Sequence, residues 1–386
     1  KHTFDRAIRI YNKELADSLS TKDNYFCLVT TNASFKSKEI QENISKIRGD
    51  VILIADEVHN MGSSASIKCL NHQIKYRLGL SATVERYEDP SGTRAIREYF
   101  GDECINYGLR EAINEKMLTE YYYYPIPCFM TPLEYELFSK MNREMERIES
   151  SNMPNRIKLA QLKEIKVNGL RLISSMEEKF SNLKRYASNY KEENFILVYC
   201  GNAKVYADEE ENGMSLTEHK RIVDRATEIF GNELNMRVSQ FTYLEDIRER
   251  EQIKEDFVEG RIQALIAIKC LDEGVNIPAI RTAFITSSSD NPKEYVQRRG
   301  RVLRKAPGKE YATILDFVAF PMKLENVQHL SDEVNAKDLR VLAREVKRMC
   351  EFADLSLNPE ITSELLSQIE TSYNITDIRG FADECK

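Results

Sequence analysis

The run VILIADEVH, Val51 to His59, sets four apolar residues and an alanine directly before two carboxylates, Asp56 and Glu57, with a histidine two places on. Such a pair at a strand end suits phosphoanhydride chemistry. One carboxylate can hold a hydrated Mg²⁺ on the β- and γ-phosphates, and its neighbour can orient or deprotonate the attacking water. On this reading Asp56 is the metal residue and Glu57 the base. The same dipeptide would equally serve to solvate the end of a core strand. A second chemical run is QRRGRVLR, Gln297 to Arg304. Arg301 and Arg304 are three apart and so project from one face of a helical turn. Their planar, always charged forks suit a phosphate whose charge shifts during transfer. The alternative is a solvated basic helix. Against it stands Gly300, which costs ~1 kcal/mol in a helix and asks for a reason such as close backbone approach.

These residues need elements to position them. Val51 to Ile54 lacks polar alternation and suits a parallel strand covered on both faces, whose carboxyl end is where open α/β sheets collect ligands. Tyr76 to Leu80 reads as another strand, running into Ser81-Ala82-Thr83, so two strand ends offer polar groups to one site. Phe26 to Val29 reads as a short strand running into Thr30 and Thr31, and Ser37 to Ile47 as an amphipathic segment. Tyr121 to Met130 reads as an edge or linker strand because of Pro125 and Pro127. Its four tyrosines could stack on bases, but packing half of them into a core is the favoured reading. From Thr131 to Glu193 the periodicity is helical.

A second α/β unit opens at Asn194, with strands expected at FILVYCG, Arg237 to Thr242, Ala264 to Ile268, Thr282 to Thr286 and Tyr311 to Phe317. Helices are expected over 215–230 and 244–258. The region after residue 320 is helical, with Leu339, Leu342, Val346 and Met349 on one stripe. The expected fold is therefore α/β with two parallel-sheet lobes, a helical connector and a helical C-terminal extension. The expected boundaries are 1–126, 127–193, 194–320 and 321–386.

Composition is compatible with this plan. The chain has 386 residues, 42% of them hydrophobic, enough for two proper cores. Its eight cysteines show no C-x-x-C spacing, which argues against a zinc site or a disulfide framework and for a reducing, cytoplasmic setting. No apolar run approaches the ~20 residues that span a bilayer, so no membrane partner is expected. The net charge of −7 conceals a basic stretch. Between 281 and 309, Arg281, Lys293, Arg298, Arg299, Arg301, Arg304, Lys305 and Lys309 face only Asp290 and Glu294. The region after 322 is acidic in balance. Overall charge thus neither excludes nor supports a phosphate-binding groove.

DEVH (56–59), SAT (81–83), DEGVNIP (272–278) and QRRGRVLR (297–304) stand in the order and at the approximate separations of motifs II, III, V and VI of the superfamily 2 helicases. YRLGLSATVERYED (76–89) is similar to the motif III region of the XPB-like and restriction-type group of DEAD/DEAH-box proteins, and LVTTNASF (28–35) to its motif Ib. The resemblance covers about residues 20 to 320. It implies RecA-like lobes, the first N-terminally incomplete, with ATP and Mg²⁺ as cofactors. It implies Asp56 as metal residue, Glu57 as base, and His59, Ser81 and Thr83 as the link between nucleotide state and domain movement. Gly274, Asn276, Gln297, Arg301 and Arg304 would serve the nucleotide, and Thr30, Thr31 and Thr242 the nucleic-acid backbone. The implied activity is an ATP-dependent helicase or translocase in repair, restriction or phage defence, moving on nucleic acid, DNA favoured over RNA. An effector or nuclease partner could engage the C-terminal helices.

Two departures accompany the resemblance. Position 276 is Asn where many relatives carry Asp. The phosphate loop G-x-x-x-x-G-K-[ST] is absent; Gly308-Lys309 is followed by Glu310 and does not follow a strand. The expectation is that the chain starts after motifs I and Ia, with ~80 to 120 residues lost upstream, and that this fragment alone is inactive. Two other readings stay open: a nucleotide-dead nucleic-acid-binding scaffold, and a duplex translocase that separates no strands and serves a separate nuclease.

Overall fold

The computed structural model describes residues 2–16, 25–86, 89–200, 222–242, 244–268, 277–287, 292–327 and 332–384. The chain divides into two compact units, Lys1–Asn106 and Tyr107–Lys386. Among the described residues no helix is long and apolar enough to cross a membrane.

The first unit is built on two parallel strands, β1 (Ile52–Ala55) and β2 (Tyr76–Gly79), in register from Ile52↔Tyr76 to Ala55↔Gly79. One side meets a small core of Phe35, Ala55, Val58, Met61, Leu70, Ile96 and Tyr99. Helix Pro90–Phe100 supplies Ile96 and Tyr99; it starts cleanly because Asp89 caps the Gly92 amide and Pro90 stands at the first turn. Arg77 ties β2 to that helix, donating to the Tyr99 carbonyl at 2.7 Å with its guanidinium 4.2 Å from the Tyr99 ring centroid. Among the described residues nothing covers the other side: Ile52 is 68% and Ile54 63% exposed, with Tyr76 and Leu78 beside them. The expectation of a strand covered on both faces is therefore corrected. An uninterrupted apolar run records that a strand suits burial, not that a second layer covers it. Residues 26–29 form no strand either, and the chain there runs irregularly into short helix Asn32–Phe35.

The second unit holds a six-stranded, wholly parallel sheet in the order β3-β8-β7-β4-β6-β5. Its strands are β3 (Glu120–Phe129), β4 (Ile196–Cys200), β5 (Val238–Phe241), β6 (Ala264–Ala267), β7 (Thr282–Ser287) and β8 (Tyr311–Phe320). Every residue of β4, β6 and β7 is buried, as their non-alternating sequences require. One face packs against helices Asp332–Ala353, Pro359–Tyr373 and Ile378–Glu384, where Leu342, Val346 and Met349 lie fully buried on the expected stripe. The opposite face packs against helix Glu177–Ala187 and the helical segment over 222–233. The connector is helical as expected, with Pro132–Glu149, Asn155–Ser174 and Glu177–Ala187; a reciprocal cap between Thr131 and Glu134 opens the first of these.

The tyrosine strand differs from expectation in one respect. β3 is an edge strand, but of the second unit's sheet, paired with β8 from Glu120↔Tyr311 to Phe129↔Phe320. The unit boundary accordingly falls before it, at 106/107 and not at 126. Tyr123 turns its backbone outward to Asn358, so the odd-numbered residues of β3 face away from β8. Pro125 and Pro127 share that parity, and their missing N–H groups cost the sheet nothing. Tyr121 and Tyr123 are fully buried, which settles them as core side chains.

One buried polar network joins that sheet to its C-terminal helices. Asp316 on β8 accepts both Arg348 Nε at 2.9 Å and Nη2 at 3.1 Å, and the Tyr123 hydroxyl at 2.9 Å. Arg348 also donates to Glu345 at 3.0 and 2.8 Å, and Glu345 accepts the Ala319 amide. The carboxylates hold the Arg348 guanidinium firmly charged against its burial.

Candidate functional site

In the first unit the sheet delivers both strand ends to one place. Leu80 N donates to Ala55 O at 2.8 Å and Val58 N to Leu80 O at 2.9 Å, so the segments leaving β1 and β2 are stitched together. Asp56 stands exposed immediately after β1, its Oδ1 accepting the Glu57 amide at 2.9 Å. Glu57 takes a left-handed conformation, φ 47° and ψ 50°, and opens the turn of 3₁₀-helix over Val58–Gly62. A left-handed residue other than glycine stores strain, and such strain collects at functional sites.

His59 is buried and links the two ends. Its Nδ1 lies 3.0 Å from Ser81 Oγ and 3.3 Å from Glu57 Oε2. The Ser81 hydroxyl donates onward to Thr83 O at 2.5 Å, so its oxygen must accept from the ring. That fixes the imidazole proton on Nδ1, between a carboxylate and a hydroxyl. Thr83 Oγ1, one step further, is buried without a hydrogen-bond partner.

Arg86, which the sequence gave no reason to select, braces this turn. Its guanidinium donates to the His59 carbonyl, and its Nε meets Asp89 Oδ2 at 2.8 Å. The Gly92 amide first, then Arg86 and Ser91, hold the Asp89 carboxyl down at about 2. Room for the arginine comes from two glycines: a Cβ on Gly92 would lie 2.5 Å from Gly62 O, so the turn and helix Pro90–Phe100 touch backbone to backbone.

Among the described residues no three His, Cys, Asp or Glu side chains converge as a metal cage. A lone exposed carboxylate such as Asp56 instead fits Mg²⁺, which keeps most of its waters and is held by one or two carboxylates with substrate phosphates.

In the second unit the basic run lies on helix Pro292–Val302. Gln297, Arg301 and Arg304 are half-buried, whereas Arg298 and Arg299 are fully buried. Arg298 places its guanidinium 3.4 Å from the centroid of Tyr199, at the end of β4. The helix closes at Val302, so Arg304 does not continue the helical face of Arg301; it sits in a turn that bridges to Leu118. Gly300 is corrected too. A Cβ there would meet only Leu109 Cδ2, at an ordinary 3.8 Å, so close backbone approach is not its reason.

Lys309 also escaped the sequence reading. Its ammonium donates to the carbonyl of Val302 at the arginine helix's end, to that of Arg304 in the turn that follows (2.8 Å) and to that of Pro278 ahead of β7 (3.4 Å). Burial, with Arg281 nearby, brings it down to about 8.

The remaining expected residues divide. Gly274 and Asn276 lie outside the described residues. Thr30 is exposed, and Thr31 caps the Ser34 amide at 3.2 Å. Thr242 is buried, its hydroxyl committed to Glu245 at 3.1 Å and to the Leu244 amide at 3.2 Å.

Comparison with known proteins adds order along the chain. The family profile for the type III restriction enzyme res subunit matches residues 1–86, and that for the helicase conserved C-terminal domain matches residues 178–306. A DNA 3'-5' translocase, XPB2 of Sulfurisphaera tokodaii, is 24% identical over 271 residues, 66% of this chain and 56% of that protein. The chain thus spans little more than half of that relative's length. Dicer-like protein 2-2 of Aspergillus niger is 26% identical over 108 residues, 27% of this chain and 8% of that one. Among solved structures, the type ISP restriction-modification enzyme LlaBIII bound to DNA superposes with a TM-score of 0.49 at 14% identity, covering 98% of this chain and 26% of that one. The Hef helicase domain of Pyrococcus furiosus gives 0.42 at 16% identity, with 72% and 74% covered.

Proposed function

Because the chain belongs to the superfamily 2 helicases of the XPB and restriction-enzyme type, we propose that it is part of an ATP-driven motor that moves along nucleic acid. The observation that carries this reading is His59 between the Glu57 carboxylate and the Ser81 hydroxyl. A base, a tautomer-fixed imidazole and a hydroxyl on the next strand end form one connected path from a site of hydrolysis into the sheet.

In this reading Asp56 would hold Mg²⁺, which would supply neutralisation of charge on the phosphates. Glu57 takes the proton of the attacking water, its carboxylate standing 3.3 Å from His59 Nδ1. His59, Ser81 and Thr83 sense whether Glu57 is engaged and pass the state to β2. Gln297, Arg301 and Arg304 bind the nucleotide phosphates and stabilise charge that develops on them, with Gly274 and Asn276 serving the same nucleotide. Thr30 and Thr31 contact the nucleic-acid backbone. Thr242, with its hydroxyl already committed, is the weakest of the three threonine candidates. The track is DNA, as the name of the translocase relative favours, and the setting is restriction, phage defence or repair in the cytoplasm, with an effector or a nuclease as partner at the C-terminal helices.

ATP turnover by the intact protein with duplex DNA, single-stranded DNA and RNA tests this directly. Stimulation by at least one DNA form is expected, and Glu57→Gln should lower turnover by ~10²- to 10⁴-fold. Turnover that survives Glu57→Gln would remove Glu57 as base.

A further inference from the structure

The arginine helix is fastened to the end of a C-terminal helix. A helix leaves its last carbonyls without intrahelical partners. At the end of Asp332–Ala353, Phe352 O accepts the Tyr121 hydroxyl at 2.5 Å, and Glu351 O accepts Arg299 Nη1. Arg299 Nη2 also meets Glu351 Oε1 at 2.7 Å, its Nη1 reaches Tyr121 Oη at 3.3 Å, and its guanidinium lies 5.0 Å from the Phe352 ring centroid. One buried fork therefore holds the backbone and the side chain of a single residue, with its charge at the favourable end of the helix dipole.

Packing alone does not need this arrangement. An apolar side chain of similar volume would fill the space as well or better. What the fork adds is direction: two Arg299 donors, one to the carbonyl and one to the carboxylate of Glu351, fix both the height of the arginine helix and its rotation about its own axis. Arg301 stands two residues on from Arg299, and Arg304 follows in the turn held by Lys309.

We propose that Arg299 is a positioning residue, through which the end of helix Asp332–Ala353 sets where Arg301 and Arg304 stand during nucleotide hydrolysis. This rests on the functional reading above and extends it to regulation: whatever moves the C-terminal helix moves the arginines. Misplacing a group that acts on the transition state by about 1 Å costs ~10²-fold in rate while ground-state binding persists.

The test is steady-state ATP turnover by the intact protein with saturating DNA, comparing Arg299→Lys, Glu351→Gln and Glu57→Gln, each referred to its folded fraction by circular dichroism. Arg299→Lys keeps the charge and loses the fork; its kcat should fall at least ~10-fold with KM for ATP within about twofold. Glu351→Gln keeps the carbonyl contact and should show a smaller fall in the same direction. Should Arg299→Lys not fold, Glu351→Gln decides alone. An unchanged kcat in the folded variants, whatever KM does, beside an inactive Glu57→Gln, overturns the positioning role and leaves the functional reading standing. Full turnover in Glu57→Gln, or none in the unaltered protein, overturns that reading and this inference with it.

Discussion

Asp338 shows what a single side chain can reveal about pH. It is buried on helix Asp332–Ala353, accepts the Tyr135 hydroxyl at 3.2 Å, and is pushed up to about 6 by loss of solvent, the hydroxyl only partly opposing. An unfolded aspartate titrates near ~3.9. Between about pH 4 and 6 the folded protein therefore keeps a proton that the unfolded chain has lost. That contribution is fully present below pH ~4 and is lost as pH rises through 6, at most about 2–3 kcal/mol. Asp338→Asn, which can still accept from Tyr135, should raise stability at pH 7.5 by about 1–2 kcal/mol and change little at pH 4. Urea midpoints at the two pH values check this, and equal shifts at both would refute it. At the same scale, residue types singled out Asp56, Glu57, Arg301 and Arg304 as candidates, because carboxylates after an apolar run and forked cations suit phosphate chemistry, and the family resemblance supplied their roles. Arg86, Arg299 and Lys309 were not readable: each acts by donating to carbonyls, and a carbonyl leaves no mark in a sequence.

Among elements, the outer edge of β3 is closed by the two residues that follow the C-terminal helix turn. Leu357 N donates to Tyr121 O at 2.8 Å, while the Asn358 amide accepts from Tyr123 N at 2.8 Å and donates to Tyr123 O at 3.0 Å. One side chain thus replaces a neighbouring strand. Asn358→Ala would leave a buried N–H and C=O unpaired and should destabilise the second unit by about 2–4 kcal/mol, read from urea unfolding. A loss under 0.5 kcal/mol would mean water substitutes freely. Arg348→Met should cost about 3–5 kcal/mol by stranding Asp316 in the core, again measurable by urea. The strands were largely legible, since apolar runs such as Ala264–Ala267 and Thr282–Ser287 carry their own signal. Prolines 125 and 127 marked β3 as an edge. Which sheet it joins was illegible, because its partner β8 is distant in the chain and parallel pairing leaves no turn between strands. The exposure of Ile52 and Ile54 was illegible for a related reason: the run states a preference, and only the assembled layers satisfy it.

Taken whole, the molecule is unequal in its means. Among the described residues the first unit's core cluster holds seven buried apolar side chains beside two short strands, whereas the second unit encloses a six-stranded sheet between two layers. Unfolding should therefore not be two-state. Hydrogen exchange should find β4, β6 and β7 amides protected to the highest level in the chain and β1 and β2 amides opening at far lower cost; uniform protection would contradict the division. The frailer unit also carries Glu57 in its left-handed backbone, a placement that costs roughly 1–2 kcal/mol for any residue but glycine, and less for asparagine. Inheritance is caught between two demands at that codon. A library screened only for survival of heat would drift toward glycine or asparagine at 57, and its winners would be sturdier proteins with no carboxylate to offer. A lineage that keeps glutamate there, generation after generation, accepts a lower melting point in exchange for work.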